Sequence, residues 1–533
     1  MNIDNYLGVM LDCSRNAVMN VETAKKMIIL LEKMGYNSLM LYTEDVYEVD
    51  NQPYFGHLRG RYSKEEIKEI DEFAKQHGIE LIPCIQTLAH LEGIMRWNDY
   101  KRIQDIDNII CIGEDKVYEL IDNMFSTINQ CFSSKIIHVG MDEAENMGLG
   151  RYLKKNGYSD RMDIYLQHLN KISQIAEKYG LEILIWHDMF LHFANNSEYF
   201  KDGKLNQSIK EKIPKNVTLV YWTYYFNEQK PYDENLSLIK SVQDSAWFAG
   251  GIWTWTGFVP HIKWSLEASE AAIKSCKQFG VNNYFFTMWG DNGAECSRFS
   301  VLPALYAVSQ FAKGNFDMDS IKDGFKKMFN LDFDEFCNIQ LPLTDNIIKY
   351  NNPDKYMLYN DCFCGVLDCK VNEEQPIKYK ESAELLKKYS QCNEYSYLFE
   401  NAVNLCEVLA LKYDLGVMTR KAYISSNKEQ LTRLLDVYEE LIIKIEKFYK
   451  SFERQWMIEN KPFGFEVQDV RIGGLIMRIK HCKSVIEKYL NGEISKIEEL
   501  EMPVMNFYGE SDATGNLPIA FNNWSKNFTV NNV

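Results

Sequence analysis

What this chain of 533 residues lacks removes whole classes of function. It has no basic excess: 59 Lys and Arg stand against 75 Asp and Glu, a net charge of −16. Neither nucleic acid nor an anionic membrane is therefore an expected partner, because both are held by basic surface. No apolar run approaches the roughly 18 residues of a membrane span. The opening MNIDNYLGVMLD has no basic stretch ahead of an apolar core, so no signal peptide is read there and a cytoplasmic location is expected. The 13 cysteines are odd in number and scattered, which suits free thiols better than a disulfide framework. Cys362, Cys364 and Cys369 cluster without the second CxxC or His pair of a zinc site. Neither a metal nor an organic cofactor is expected. No stretch rich in Pro, Gly or Ser divides the chain, and no glycine-rich phosphate loop follows an apolar run.

What is present is an ordinary globular composition, 46% hydrophobic and 25% charged, with one pattern repeated. An amphipathic helix ends in glycine and a β-rich run follows at once, as in EKMG35YNSLMLY, KQHG78IELIPCI, EKYG180LEILIW and KQFG280VNNYFFTMW. Glycine there supplies the left-handed residue that closes a helix before a short loop. Val21, Ala24, Ile28, Leu31 and Met34 line one helical face, as do Ile67, Ile70, Phe73 and Ala74. Ser63 and Glu66 form a capping box. Eight β-like runs fall at 6–11, 38–42, 79–85, 135–139, 182–186, 217–222, 247–253 and 284–289. Eight alternating units predict an α/β chain with a (β/α)8 TIM-type barrel over 1–312; a doubly wound open sheet is the alternative. From 313 to 533 the alternation stops, and an all-helical C-terminal domain is expected. There Ser426 and Glu429 read as a capping box before a stripe of Leu431, Leu434, Leu435, Tyr438, Leu441, Ile442, Ile445 and Phe448. This helical part either packs on the barrel or forms a homodimer.

The most informative stretch is Ile136-Ile137-His138-Val139-Gly140-Met141-Asp142-Glu143. Neighbouring side chains of a strand point to opposite faces, so two adjacent acids converge on one ligand only where the strand opens into a loop. Burying unpaired acids is costly, which marks a carboxylate site. In a barrel of this type the active site lies at the C-terminal strand ends. Those ends carry Asp12 to Arg15, then Tyr42 to Asp45, His90, and the acid pair. Strands five to eight follow with Trp186-His187-Asp188, Tyr221-Trp222-Thr223-Tyr224-Tyr225, Trp253-Thr254-Trp255 and Trp289-Gly290-Asp291-Asn292. Aromatic walls beside carboxylates suit a sugar, whose C–H faces stack on indole while its hydroxyls meet polar groups. Arg15 suits either a structural ion pair or a bidentate grip on hydroxyls. His138 reads as a core residue.

The HVGMDE segment resembles the His-x-Gly-Gly-Asp-Glu signature of family 20 glycoside hydrolases, the β-N-acetylhexosaminidases, with Met141 in place of the second glycine. Arg15, the Thr43-Glu44-Asp45 segment, His90 and Trp289-Gly290-Asp291 follow in the family's order, and the helical remainder is similar to the compact bacterial branch that lacks an extra N-terminal domain. The resemblance implies exo-hydrolysis of terminal β-linked N-acetylglucosamine or N-acetylgalactosamine, with retention and through an oxazolinium formed by the substrate's own acetamide, an exception to the two-carboxylate scheme. It implies Glu143 as the general acid and base and Asp142 as the acceptor of the acetamide N–H. His90, paired with Asp45 or Glu44, would support the acid. Trp186, Trp253 and Trp289 would wall the subsite, and Arg15 and Asp291 would bind hydroxyls. The family's Tyr-x-Asp is best matched by Tyr221-Trp222-Thr223, with Thr for Asp, so Tyr221, Tyr224 and Tyr225 all remain candidates for the acetamide oxygen.

Three other readings compete. One is a retaining glycosidase with Asp291 or Glu295 as nucleophile. Another is a metal-dependent hydrolase using His138, Asp142, His187 and Asp188. The third is a sugar-binding protein without turnover.

Overall fold

The computed structural model describes residues 5–194, 210–343, 353–390 and 394–506. The chain forms two compact units. The first comprises Met1–Ile252, Lys263–Trp289 and Ala304–Gly324; the second comprises Trp253–Ile262, Gly290–Pro303 and Phe325–Val533.

The first unit is built on eight parallel strands: β1 (Leu7–Asp12), β2 (Ser38–Glu44), β3 (Glu80–Ile85), β4 (Ile136–His138), β5 (Glu182–Trp186), β6 (Val217–Trp222), β7 (Trp247–Gly251) and β8 (Tyr284–Met288). They close into a barrel in chain order, β8 pairing with β1 through Leu7–Tyr284 to Leu11–Met288. The expected runs and the observed strands differ only at their ends. Closure excludes the open doubly wound sheet.

The helices between strands follow their local chemistry. Helix α1 (Val21–Met34) is capped by the Asn20 side chain on the Thr23 N–H and stopped by Gly35 at φ 91°. Its buried face includes Ala24, Met27, Ile28, Leu31 and Met34, the four larger side chains each worth about 1.5–3 kcal/mol when fully removed from water. Helix α2 (Lys64–Gln76) opens with the complete Ser63–Glu66 capping box.

The strand alternation fills the barrel. Met10, Met40, Tyr42, Ile82, Cys84, Leu184, Trp186, Val220, Trp247, Ala249 and Phe285 form one buried cluster, with Trp222 and Trp289 partly buried against it. A barrel of eight strands has room for such side chains and no channel. The site therefore sits at its rim.

The described part of the second unit is largely helical. Helix α3 (Ser396–Lys412), helix α4 (Lys428–Glu459) and helix α5 (Glu466–Leu490) are its longest members. On α4 the stripe Leu431, Leu434, Tyr438, Leu441, Ile442, Ile445 and Phe448 is buried. The cap differs from the expected Ser426–Glu429 box: Asn427 accepts the Gln430 N–H instead. Ser426 is already committed as the left-handed residue, φ 54°, that ends the preceding helix Leu415–Ile424. Its N–H reaches the Tyr423 carbonyl and the Asn427 N–H the Ala422 carbonyl, the paired bonds of a Schellman stop. Among the described residues no helix is long and apolar enough to cross a membrane.

Candidate active site

The acid pair leaves β4 through a sharp reversal. Gly140, Met141 and Glu143 are all left-handed, at φ 69°, 67° and 47°. That turn breaks the strand alternation and brings Asp142 and Glu143 to one side. Glu44, the last residue of β2, and His90, on the loop after β3, are left-handed too, at φ 47° and 55°. A non-glycine residue in this region costs about 1–2 kcal/mol, so the surrounding contacts must impose it.

Those contacts centre on Gln86, fully buried after β3. Its Oε1 accepts the Met141 N–H at 3.2 Å, and its Nε2 donates to Asp142 Oδ1 at 2.8 Å and to the Tyr42 hydroxyl at 2.9 Å. Gly140 is required here, because a Cβ at that position would overlap the Gln86 amide. On the other flank Asp188, buried after β5, accepts the Glu143 N–H at 3.0 Å and the Trp222 indole N–H at 3.2 Å.

His90 Nε2 lies 3.3 Å from Asp142 Oδ2 and 3.4 Å from Glu143 Oε2, a charge contact with both acids. Burial pulls the imidazole down, but the Asp142 charge and that of Glu143 more than offset it and hold His90 at about 9. It is a cation at neutral pH. Burial also pushes Asp142 up, yet His90 and the Gln86 hydrogen bond keep it below the ordinary carboxylate range. Glu143 is held above its ordinary value by desolvation and by the charges of Asp142 and Glu145, against the pull of His90. Half of its side chain, 51%, still meets solvent. The two adjacent carboxyls are thus shifted in opposite directions.

The polar side of the mouth is Arg15, whose guanidinium lies 3.2 Å from Glu44 Oε1 and 3.4 Å from Asp12 Oδ2. It stands over the rings of Tyr42 and Trp289, 5.2 and 5.7 Å from their centroids. The aromatic side is Trp222, stacked on Tyr224 at 5.4 Å, with the Trp289 indole N–H donating to the Tyr224 hydroxyl at 3.1 Å.

Of the expected residues, the structure brings together Arg15, Glu44, His90, Asp142, Glu143, Tyr224 and Trp289. Tyr225 is 41% exposed, edge-on to Tyr224. Three expectations are corrected. His90 does not pair with Asp45 or Glu44 but meets the acids themselves. Asp45 is buried and ion-paired with Arg59 at 2.9 Å, and burial lifts it to about 6 in spite of that cation. Tyr221 points away from the interior, against His187 and Phe248, because its neighbours Val220 and Trp222 take the inward positions. Trp186 lies 1% exposed in the core, against His138 at 4.2 Å, and is a floor rather than an open wall. Trp253 and Asp291 were expected at the same mouth, and they fall within the segments of the second unit. There the Trp253 ring is buried against Trp255 at 4.8 Å, and Asp291 is left-handed at φ 34°.

Sequence reasoning missed Gln86; it placed Trp222 and Asp188 at strand ends but gave Trp222 no role of its own and Asp188 only a metal role. The signal for Trp222 and Asp188 was the alternation itself: Val220–Trp222 and Leu184–Trp186–Asp188 share a parity. Among the described residues the group whose donor atoms could hold a metal is His90, Asp142 and Glu143, not the His138, Asp142, His187 and Asp188 set. Burial drives His138 and His187 down to about 3, as expected for neutral core imidazoles.

Residues 5–280 match the catalytic domain of glycosyl hydrolase family 20, and residues 331–518 match a glycoside hydrolase 20C C-terminal domain. The chain belongs to glycoside hydrolase family 20. Among curated proteins, human hexosaminidase D is 25% identical over 210 residues, 37% of this chain and 40% of that protein. A probable beta-hexosaminidase of Arthroderma benhamiae is 24% identical over 302 residues, 51% and 43% of the two. The chain thus spans about half the length of the family 20 relatives it matches. Two solved structures are similar. A GH20 exo beta-N-acetylglucosaminidase from Vibrio harveyi in complex with N-acetylglucosamine has 18% identity and a TM-score of 0.47, covering 61% of this chain and 58% of that one. A beta-N-acetylhexosaminidase from Bacteroides fragilis has 22% identity and a TM-score of 0.47, covering 62% and 71%.

Proposed function

We propose that this family 20 chain is an exo-acting β-N-acetylhexosaminidase that removes terminal β-linked N-acetylglucosamine or N-acetylgalactosamine from small or oligosaccharide substrates, with retention. The observation that carries the reading is the geometry of the acid pair: the left-handed turn brings Asp142 and Glu143 to one side, where His90 Nε2 lies 3.3 and 3.4 Å from the two carboxylates. The substrate's acetamide oxygen attacks the anomeric carbon as Glu143 gives its proton to the departing glycosidic oxygen. Asp142, ionised throughout, accepts the acetamide N–H and stabilises the positive charge of the oxazolinium ring. Glu143, now a carboxylate, takes a proton from the water that reopens the ring at the anomeric carbon. Trp222, Tyr224 and Trp289 wall the sugar, Tyr224 offers its hydroxyl to the acetamide oxygen, and Arg15 grips ring hydroxyls.

The nucleophile reading fares worse for Glu295. Its carboxylate is 3% exposed and lies 2.8 Å from Lys355 Nζ and 2.9 Å from an Arg471 nitrogen, an arrangement that builds structure. The test is hydrolysis of aryl N-acetyl-β-glucosaminide against aryl β-glucoside, with inhibition by a thiazoline that mimics the cyclised intermediate. Tight thiazoline binding and a strong preference for the acetamido sugar are expected. Glu143→Gln should lose about 10²–10⁴-fold in kcat on substrates with poor leaving groups. Preference for the plain glucoside overturns the proposal.

A further inference from the structure

One buried carboxyl at the mouth has no part in that reaction. Asp188 is 1% exposed, and each of its oxygens takes one N–H from a different part of the site. Oδ2 accepts the backbone N–H of Glu143, and Oδ1 accepts the indole N–H of Trp222. The first donor belongs to a left-handed residue, φ 47°, whose backbone needs an outside partner to stay in that region. The second belongs to the ring stacked on Tyr224, and Tyr224 in turn receives the Trp289 indole N–H. A continuous line of contacts thus runs from the proton donor's own peptide group to the aromatic wall.

We propose that Asp188 is a positioning residue that locks the Glu143 carboxyl to the wall against which the sugar stacks. The inference rests on the reading of Glu143 as proton donor. The residue type follows from the geometry. Burial and the Asp142 and Glu143 charges push Asp188 up, and the two N–H groups pull the other way. Since each oxygen faces an N–H, the pair is fully satisfied by a carboxylate that accepts on both oxygens, whereas an amide of the same shape accepts on one and sets N–H against N–H at the other. Rotating the amide moves the conflict from Glu143 to Trp222 without removing it. Asp188 touches no reacting atom, so its removal leaves the chemistry available and misplaces the acid.

A misplaced acid matters most where the departing group needs a proton. The test compares an aryl N-acetyl-β-glucosaminide, whose phenolate leaves readily, with N,N′-diacetylchitobiose, whose alkoxide does not, using the full chain and its Asp188→Asn, Trp222→Phe and Glu143→Gln variants. Asp188→Asn is expected to lose about 100-fold in kcat on the disaccharide, the scale of an ångström of misplacement, and less than about 10-fold on the aryl glycoside. KM should change little. Trp222→Phe, which keeps an aromatic ring at the wall but deletes the indole N–H, should shift the same ratio in the same direction by less. Thermal unfolding identifies a variant that fails to fold; if Asp188→Asn does, Trp222→Phe carries the decision. Equal losses on both substrates, or an unchanged ratio in Trp222→Phe, overturn the proposal. Glu143→Gln separates the two readings. If it keeps its disaccharide activity, the proton-donor assignment fails. If it is inactive there while Asp188→Asn shows no leaving-group bias, the positioning role alone fails.

Discussion

Gly140→Ala is the most demanding test of how the acid pair is held. An alanine at φ 69° carries a left-handed penalty of about 1 kcal/mol. Its Cβ would also fall 2.6 Å from Gln86 Nε2, and closer still to the amide carbon and oxygen. Gln86 is fully buried and cannot swing away without breaking its bonds to Asp142, Tyr42 and the Met141 N–H. The bond to the Asp142 carboxylate is worth about 2 kcal/mol and each neutral one about 1. Breaking the Asp142 bond and one neutral bond, with the backbone strain, gives a loss of about 4 kcal/mol. Losing the donor on Asp142 also frees the carboxylate to drift, for which a loss of about 100-fold in kcat/KM is expected. Denaturant unfolding and kinetics on Gly140→Ala, Gln86→Ala and the double variant measure this directly. Once the Gln86 amide is gone, Gly140→Ala should cost only the backbone strain, leaving a coupling of about 2–3 kcal/mol between the sites. If Gly140→Ala costs the same with and without Gln86, the steric argument is wrong.

His90 makes a pH-dependent contribution to stability. Its folded value of about 9 lies above its ordinary 6.5, so the stabilisation is complete below pH 6.5 and is lost as pH rises through 9. The unfolding midpoint of the wild type, relative to His90→Gln, should therefore fall across that window; a difference that grows with pH would refute the assigned charge. In the second unit, Lys355→Met leaves Glu295 with Arg471 alone in a buried setting. Removing one partner of a buried pair costs about 3–5 kcal/mol, and chemical denaturation should place this variant near the lower end because one cation remains. A variant as stable as the wild type would show that Lys355 and Glu295 do not form a buried ion pair.

The barrel was legible because its signals are local. Glycines 35, 78, 180 and 280 all adopt positive φ, and the run of apolar residues after each becomes a strand whatever its partners. The acid pair was legible for the same reason: two adjacent carboxyls after a strand are costly unless used. Gln86 gave no such signal. An amide after a strand is common, and only the folded chain shows that it spans from Tyr42 on one strand to Asp142 beyond another. The cap of α4 was misread because Ser426 has two local uses. The Schellman stop of one helix outweighs the capping box of the next.

The misplacement of Tyr221 has its physical origin in parity rather than composition. In Tyr221-Trp222-Thr223-Tyr224-Tyr225 large rings occupy both faces of the strand, so hydrophobicity cannot tell which face is inward. The rest of the barrel can. Val220 belongs to the interior cluster, and a strand repeats every two residues; Trp222 and Tyr224 then turn toward the mouth while Tyr221 turns toward the outer layer. The same count along β5 takes Leu184 and Trp186 into the core and carries Asp188 to the rim on their side. A resemblance drawn on residue types placed Tyr221 in the site. Alternation excludes it, and it admits the carboxyl that holds the proton donor in place.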